Sequence, residues 1–248
     1  MSEKKIALVT GALGGIGSEI CRSLIAEGYK IIATLVPREE AREVKWLKDE
    51  GFNENDFRFV FGDLTNHETM TTAINEAIEA EGRVDVLVNN AGVTRDAVFK
   101  KMSYEQWSDV LDINLKTLFT VTQPVFNKML EQKSGRIVCI SSVNGIKGQF
   151  GQANYAATKA GMIGFIKSLA LEGARSGVTA NVVAPGYTAT PMVTAMREDV
   201  IKSIEAQIPA QRLATPEEIA AAVMYLVSDQ AGYVTGETLS VNGGLYMQ

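Results

Sequence analysis

The chain has 248 residues, of which 46% are hydrophobic and 21% charged, and its formal net charge is −5. This length fits one large α/β domain with a continuous core, and the acidic balance excludes a global basic field that would attract nucleic acid or an anionic membrane, although local basic patches stay possible. The apolar run after the charged start is too short for a signal peptide, and every other run is far below the ~20 apolar residues of a membrane span. We expect a soluble, cytoplasmic protein.

Predicted strands and helices alternate along the chain. The predicted strands are Ile6–Val9, Lys30–Thr34, Phe57–Phe61, Val84–Val88, Arg136–Ser141, Thr179–Val183 and Thr238–Val241. The predicted helices are Gly15–Glu27, Glu39–Glu50, Glu68–Glu81, Tyr104–Gln132, Ala153–Arg175 and Pro216–Ser228. This alternation predicts a parallel sheet covered by helices on both faces.

Turn and cap residues support these boundaries. Thr215, which precedes Pro216 and two acidic residues, is typical of a helix N-cap, and Gly51 and Gly82 are typical of left-handed C-caps. The stretch from Gly186 to Leu213 has no strong periodicity. We therefore expect one domain over residues 1–248, with a substrate lid at approximately 187–213.

The cysteine and histidine content limits the chemistry. The two cysteines, Cys21 and Cys139, are predicted to be small packing residues rather than a disulfide framework. His67 is the only histidine, so a His-based triad or a multi-histidine metal site cannot form. The acidic residues show no metal-ligand spacing, and we expect no metal cofactor.

A glycine-rich turn follows the first strand. Its residues are Thr10-Gly11-Ala12-Leu13-Gly14-Gly15-Ile16-Gly17. Glycines at a strand end can be purely steric, but between a strand and a helix they let the backbone approach a pyrophosphate at the helix N-terminus. The turn therefore favours nucleotide binding.

This T-G-x-x-x-G-x-G pattern resembles the short-chain dehydrogenase/reductase family. Further matches run in family order along essentially the whole chain: Asn89-Asn90-Ala91-Gly92, Asn114, Ser142, Tyr155-x-x-x-Lys159 and Pro185-Gly186. The resemblance implies a doubly wound Rossmann fold, α/β in class, with a seven-stranded parallel sheet ordered 3-2-1-4-5-6-7 and a nicotinamide cofactor. It also implies a homotetramer whose subunits pair through the helices Tyr104–Gln132 and Ala153–Arg175.

Carried onto this sequence, the resemblance implies a set of cofactor contacts. They are Gly11, Leu13, Gly15, Ile16, Gly17, Arg38, Asp63, Leu64, Asn90, Ala91, Gly92, Tyr155, Lys159, Pro185 and Gly186. Asp63 would accept from the adenine amino group, and a helix N-cap is the alternative role for it.

The end of the second strand bears on the choice of nicotinamide. A carboxylate there would bind the ribose 2′-hydroxyl of NAD, but this chain has Leu35. Arg38, and Arg42 with it, could pair with a 2′-phosphate, whereas Glu39 and Glu40 lie nearby and Arg38 could equally be solvated. We predict NADPH (NADP+) as the cofactor.

Tyr155 and Lys159 stand four positions apart on a predicted helix, hence on one face. A phenol titrates near ~10, and a neighbouring ammonium is expected to lower that pKa. By resemblance Tyr155 protonates the substrate oxygen, Ser142 hydrogen-bonds it, Lys159 also holds the nicotinamide ribose, and Asn114 supports a proton-relay water. Each residue alone has an ordinary structural role, and the family order with thirteen positions from Ser142 to Tyr155 is what favours catalysis.

Two related groups of 3-oxoacyl thioester reductases in the family are similar to this chain. One reduces 3-oxoacyl groups on acyl carrier protein, and the other reduces acetoacetyl-CoA to (R)-3-hydroxybutyryl-CoA for polyhydroxyalkanoate synthesis. Three segments favour the acetoacetyl-CoA group: residues 143–152, residues 37–40 with Trp46-Leu47, and residues 185–190. One departure from the usual pattern is Cys139, where related enzymes often have Asn, and we expect altered packing there.

The predicted substrate contacts surround the reacting carbonyl. They are Asp96, Gln149, Phe150, Gln152 and Tyr187. Phe150 would form an apolar wall for a short acyl group, or else pack under its own loop. Tyr187 would close the pocket from the other side, and the glutamines would hydrogen-bond thioester or pantetheine groups.

Two other functions stay open from the sequence. A carrier-protein reductase needs a basic docking patch, for which Lys133, Arg136 and Arg175 are candidates, although they could be solvated or contact CoA phosphates. A catalytically silent NADP(H)-sensing protein is the non-enzyme alternative, and its usual mark would be a broken catalytic tetrad.

Overall fold

A computed structural model describes residues 4–36 and 41–247 of the chain. Its strands are β1 Ile6–Thr10, β2 Lys30–Leu35, β3 Phe57–Phe61, β4 Val86–Asn89, β5 Gly135–Ile140, β6 Val178–Pro185 and β7 Thr238–Val241. Its helices are α1 Gly15–Ala26, α2 Arg42–Glu50, α3 His67–Glu81, α4 Tyr104–Leu111, α5 Thr117–Gln132, α6 Val143–Lys147, α7 Ala153–Gly173, α8 Pro191–Thr194, α9 Glu198–Glu205 and α10 Pro216–Val227.

The strands of the described chain form one sheet in the order β3-β2-β1-β4-β5-β6-β7, and all neighbouring pairs are parallel. The predicted α/β class, the Rossmann topology and the strand order are therefore confirmed. The order reverses at β1, which pairs with β2 on one side and with β4 on the other. Such a switch point leaves a crevice at the carboxyl ends of the strands, where ligands bind in sheets of this kind.

Alternate residues of β1 explain the two helical layers. Leu8 packs into a core with α3, α5 and α7, whereas Ala7 and Val9 pack into a second core with α1, α2 and α10. Every residue of β1 is buried, because a parallel strand at the centre of such a sheet is covered on both faces. The burial holds the glycine-rich turn that follows β1 in a fixed position.

Several predicted boundaries need correction. The predicted helix Tyr104–Gln132 is divided by a π-helical turn at Asp112–Lys116 into α4 and α5. The predicted helix starting at Glu39 begins, within the described residues, at Arg42, and Glu39 itself lies outside them. The stretch without periodicity contains two short helices, α8 and α9.

The predicted caps are confirmed. Thr215 and Glu218 form a reciprocal capping box at the start of α10, with the Thr215 side chain accepting from the Glu218 N–H at 3.3 Å. Gly51 and Gly82 adopt left-handed φ angles of 69° and 76° at the ends of α2 and α3. Among residues 4–36 and 41–247, no helix is long and apolar enough to cross a membrane.

Candidate active site

The glycine-rich turn leaves no room for side chains between β1 and α1. Gly11 has a φ of +65°, and a Cβ added to it would lie 2.9 Å from the Ala91 Cα. A Cβ on Gly17 would lie 2.1 Å from the Gly11 carbonyl oxygen. The turn therefore exposes backbone at the N-terminus of α1, as a pyrophosphate-binding turn requires.

Hydrogen bonds connect the end of β4 to this turn. The Thr10 hydroxyl accepts from the backbone N–H groups of Asn90 and Ala91, both at 3.0 Å. The Asn90 amide donates to the carbonyls of Thr10 and Gly11 at 3.2 and 3.0 Å. These bonds hold the two loops of the switch point against each other.

A cleft of about 1100 Å³ starts at this turn. Ten of the predicted cofactor residues line it: Gly11, Leu13, Gly15, Ile16, Gly17, Asp63, Leu64, Asn90, Ala91 and Gly92. Thr190, Pro191 and Met192 of the segment after β6 also form part of its wall. Its volume, its glycine cradle and the helix N-terminus together fit a dinucleotide.

Four of the predicted cofactor residues within the described ranges are not among the residues of the cleft wall. Arg38 lies outside the described residues. Tyr155 and Lys159 lie on α7, whereas Pro185 is the last residue of β6 and Gly186 follows it. Gly186 packs closely on the residue that follows β7, since an added Cβ would lie 2.9 Å from the Asn242 Cα.

The far end of the cleft is formed by the end of β2 and the start of α2. Leu35 lies there, together with Arg42 and Glu43. The buried Thr34 hydroxyl, also in the cleft wall, has no hydrogen-bond partner among the described residues. The end of β2 therefore offers an apolar side chain, a free hydroxyl and a nearby guanidinium.

Asp63 lies in the cleft wall and does not cap a helix. Its Oδ1 accepts from the Thr65 N–H at 2.9 Å and from the Thr65 hydroxyl at 2.8 Å. The N-cap of α3 is Asn66, whose side chain accepts from the Thr69 N–H. The N-cap alternative for Asp63 is therefore wrong.

Ser142 and Tyr155 meet at the carboxyl end of β5. Ser142 caps α6, and its Oγ accepts from the Asn144 N–H at 3.1 Å. Tyr155 lies in the first turn of α7, near enough to Ser142 for the serine hydroxyl to lower the pKa of the phenol. The sequence pattern thus corresponds to two hydroxyl groups that lie near each other at the end of β5.

Lys159 lies one turn further along α7 and is only 3% exposed. Its Nζ donates to the Ile140 carbonyl at 2.7 Å and lies 5.5 Å from the centroid of the Tyr155 ring. Gly145 of α6 packs on it closely, since a Cβ there would lie 2.7 Å from the Lys159 Cβ. The ammonium group is thereby held between β5 and α7.

The pKa of Tyr155 is shifted in the direction opposite to the expected one. Burial raises the pKa of the Tyr155 hydroxyl, a hydrogen bond from Ser142 lowers it, and the negative charge of Asp96 raises it further. Burial also lowers the pKa of Lys159 to about 8. The expected lowering of the tyrosine pKa is therefore wrong for this structure, because a desolvated site disfavours the charged form of both groups.

Asn114 lies in the π-helical turn between α4 and α5 and is fully buried. Its Oδ1 accepts from the Val93 N–H at 2.8 Å, and its Nδ2 donates to the Val93 carbonyl at 2.9 Å and to Thr158 at 3.3 Å. Asn114 therefore joins the loop after β4 to α7. The proton-relay role stays a prediction.

Phe150 is exposed on the loop before α7, with 83% of its surface accessible, so the alternative that it packs under its own loop is wrong. Gln149 accepts from the Lys147 ammonium at 2.8 Å. Tyr187 is half-buried, and its pKa is raised by burial and by Asp96. Asp96 thus influences both tyrosines at this end of the sheet.

Two asparagines that were not predicted from the sequence also contact the catalytic residues. Asn144 contacts Ser142 through its N–H and Gln152 through its Nδ2. The fully buried Asn154 donates to the carbonyls of Arg95 and Gln106, at 3.0 and 2.9 Å, and accepts from the Tyr155 N–H. Only a weak feature of the sequence pointed to these two asparagines, namely that each is a polar residue next to or near a predicted catalytic residue.

Both cysteines are buried and free. Cys21 lies on the buried face of α1 and packs in the core, as predicted. Cys139 lies in the other core, and its Sγ also accepts from the Asn89 Nδ2 at 3.5 Å. Burial raises the pKa of the Cys139 thiol to about 12, so it is neutral beside Lys159.

Comparison with known proteins agrees with this geometry. A family model described as short chain dehydrogenase matches residues 5–201. An acetoacetyl-CoA reductase from Acinetobacter sp. is 80% identical over 247 residues, covering 100% of both chains. An acetoacetyl-CoA reductase from Cupriavidus necator is 48% identical, covering 98% of this chain and 99% of that protein.

A 3-oxoacyl-[acyl-carrier-protein] reductase from Escherichia coli is 47% identical, covering 99% of this chain and 98% of that protein. Identity near this level thus occurs with both groups of reductases, whereas 80% identity occurs with an acetoacetyl-CoA reductase. The chain belongs to the short-chain dehydrogenase family of oxidoreductases, whose members use a nicotinamide cofactor.

Proposed function

We propose that this protein is an acetoacetyl-CoA reductase that uses NADPH and forms (R)-3-hydroxybutyryl-CoA. The observation that carries the proposal is the 80% identity, over the full length of both chains, to the Acinetobacter acetoacetyl-CoA reductase. The arrangement of Ser142, Tyr155 and Lys159 supports carbonyl reduction as the reaction. The product would serve polyhydroxyalkanoate synthesis.

The cleft residues would hold the cofactor, with its pyrophosphate at the glycine-rich turn and Lys159 at its nicotinamide ribose. When bound, the nicotinamide supplies the hydride that reduces the 3-oxo carbon. Leu35 supports NADPH over NADH. A carboxylate at this position would repel the 2′-phosphate of NADPH, and the leucine side chain carries no charge. Arg42 in the cleft wall would pair with that phosphate.

Tyr155 would be the proton donor. Burial raises its pKa, so the hydroxyl carries its proton at neutral pH and can give it to the oxygen that becomes the product hydroxyl. Ser142 would hydrogen-bond the same oxygen and polarise the carbonyl. With a pKa of about 8, Lys159 is roughly nine-tenths protonated at pH 7 and would offset the negative charge left on Tyr155.

The alternative acyl carrier is disfavoured by the position of the basic candidates. Lys133 precedes β5 and Arg175 precedes β6, so both lie at the amino ends of strands, whereas Ser142 follows a carboxyl end. The Arg136 guanidinium donates to the carbonyls of Gly135 and Gly177. A carrier docked on these residues would lie at the opposite edge of the sheet from the catalytic groups.

The proposal includes a cytoplasmic homotetramer, since NADPH and CoA esters are cytoplasmic metabolites. Exposed aromatic and aliphatic side chains on the helices named for pairing support it: Tyr104 on α4, Phe119 on α5 and Leu171 on α7. A monomer in light scattering would refute the tetramer.

The NADP(H)-sensing alternative is less well supported, because all four tetrad residues are present.

The decisive experiment measures initial rates of NADPH oxidation with acetoacetyl-CoA and with acetoacetyl-carrier protein, and repeats both with NADH. We expect a kcat/KM for the CoA ester at least about tenfold higher, an activation free-energy difference of roughly 1.4 kcal/mol. A preference for the carrier protein would move the assignment to fatty acid synthesis. Binding of NADPH without reduction of either ester would favour the sensing protein.

A further inference from the structure

A chain of three polar side chains leads to Ser142. The Gln152 Nε2 donates to the Asp96 Oδ2 at 2.9 Å. The Asn144 Nδ2 donates to the Gln152 Oε1 at 3.0 Å. The backbone N–H of Asn144 donates to the Ser142 Oγ at 3.1 Å. The Gln152 Nε2 and Oε1 thus each make one hydrogen bond within the protein.

The carboxylate of Asp96 sets the direction of this chain. An ionised carboxylate can only accept, so Gln152 must turn its Nε2 toward Asp96 and its Oε1 toward Asn144. Asn144 must then offer its Nδ2. The remaining Asn144 oxygen, Oδ1, is buried and has no hydrogen-bond partner among the described residues. The direction is thus kept although it leaves one buried oxygen unpaired, which costs free energy.

The series of hydrogen bonds from Asp96 to Ser142 connects three separate segments. Asp96 lies in the loop after β4, Gln152 precedes α7, and Asn144 lies in the first turn of α6. The two loops are also joined directly, since the Ala97 N–H donates to the Gly151 carbonyl at 2.9 Å. Because Ser142 is the N-cap of α6, a shift of this turn would move its hydroxyl relative to Tyr155.

We propose that Asn144 and Gln152 are positioning residues for Ser142, and that Asp96 fixes the direction of the hydrogen bonds between them. This inference rests on the proposed reduction of a 3-oxoacyl thioester. It assigns to Gln152 a role inside the protein that does not depend on a direct contact with the thioester. Asn144, two positions after Ser142, then couples the loops on both sides of the substrate to the catalytic hydroxyl.

A double-mutant cycle at the first link tests the proposal. In Gln152→Glu two carboxylates face each other, so kcat with acetoacetyl-CoA should fall about 10- to 100-fold. Asp96→Asn alone keeps a neutral acceptor for Gln152, and kcat should fall less than about fivefold. When both substitutions are combined, the amide introduced at position 96 can donate to the carboxylate introduced at position 152, which still accepts from Asn144. We expect kcat of this double variant within about threefold of the Asp96→Asn value.

Asn144→Leu tests the second link. It removes the donor to Gln152 and should lower kcat about tenfold while the dissociation constant for NADPH stays within about twofold. In an Asn144→Leu background, Gln152→Glu should then change kcat by less than about threefold, because the connection to Ser142 is already lost. Gln230→Glu is the matched control: this exposed glutamine lies in the turn Asp229–Ala231, and no change in kcat is expected.

The outcomes separate the two proposals. Additive losses in the cycle, or an unchanged effect of Gln152→Glu in the Asn144→Leu background, would overturn the positioning role while the wild-type activity stands. Losses confined to KM would assign Gln152 to direct substrate binding and would also overturn it. A wild-type enzyme that binds NADPH and leaves acetoacetyl-CoA unreduced would overturn the proposed function itself.

Discussion

The Lys159 ammonium lies 5.5 Å from the centroid of the Tyr155 ring, and its Nζ donates to the Ile140 carbonyl at 2.7 Å. The lysine is thus held by the end of β5 while it faces the tyrosine. Burial disfavours the charged form of each residue: it raises the pKa of Tyr155 and lowers that of Lys159 to about 8. The site therefore keeps the tyrosine protonated. It also buries the charge of Lys159, which lowers the free energy of unfolding.

The cost of this buried charge is measurable. The folded lysine releases its proton near pH 8 and the unfolded lysine near 10.5, so between these values the unfolded state binds more protons and stability rises with pH. Lys159→Met should raise the free energy of unfolding at pH 7 by about 1–3 kcal/mol, after allowance for the lost bond to Ile140. The gain should disappear near pH 10.

Urea unfolding of both proteins at the two pH values checks this prediction. Lys45→Met serves as the control, because Lys45 lies on the exposed surface of α2 and its replacement should change stability little at either pH. A variant that is less stable than the wild type at pH 7 would contradict the prediction. Lys159→Met should also lose at least about 100-fold in activity.

Tyr155→Phe removes the proposed proton donor and keeps the ring. We expect kcat for acetoacetyl-CoA reduction to fall about 10²- to 10⁴-fold, as is usual for loss of a general acid. The dissociation constant for NADPH, measured by fluorescence, should change by less than about threefold because uniform binding is retained. Retention of more than a tenth of the wild-type kcat would assign the proton to another group.

The glycine-rich turn gives a steric prediction. In Gly17→Ala the new Cβ would lie 2.1 Å from the Gly11 carbonyl oxygen, so the turn must shift. NADPH affinity should fall at least about tenfold and stability by about 1–3 kcal/mol. Gly164→Ala is the control, because a Cβ at Gly164 in α7 meets no atom within 4 Å. That variant should gain roughly 0.5–1 kcal/mol and keep full NADPH affinity.

Leu35→Asp places a carboxylate at the end of β2, in the cleft wall. Repulsion of the 2′-phosphate should lower kcat/KM with NADPH about 10- to 100-fold, while the value with NADH should hold or rise. Parallel initial-rate measurements with both cofactors check this expectation. Equal losses with both would show that Leu35 lies away from the 2′-position.

Phe150→Ala tests the exposed ring before α7. Because 83% of its surface is accessible, its removal should change the melting temperature by less than about 2 °C. If the ring packs on the bound acyl group, KM for acetoacetyl-CoA should rise about 5- to 30-fold, corresponding to roughly 1–2 kcal/mol of apolar contact. An unchanged KM would remove Phe150 from the substrate pocket.

Much of the architecture follows from local sequence pattern. The β-branched runs, the helical periods and the caps at Thr215, Gly51 and Gly82 predicted the strands and most helices, because each depends on neighbouring residues. The division of the predicted helix Tyr104–Gln132 was missed, since the π-helical turn is stabilised by bonds from Asn114 to the distant Val93 and Thr158. Periodicity along one segment carries no information on such bonds.

The sequence by itself also determined which functional groups are present: a glycine turn at a helix start, and a tyrosine and a lysine four positions apart on one helix face. Only the tertiary structure decided how those groups behave. It raised the pKa of Tyr155 against the expectation, buried Lys159 behind β5, and joined Asp96, Gln152 and Asn144 to Ser142. Desolvation and hydrogen bonding depend on which distant segments enclose a group, and spacing along the chain does not specify that enclosure.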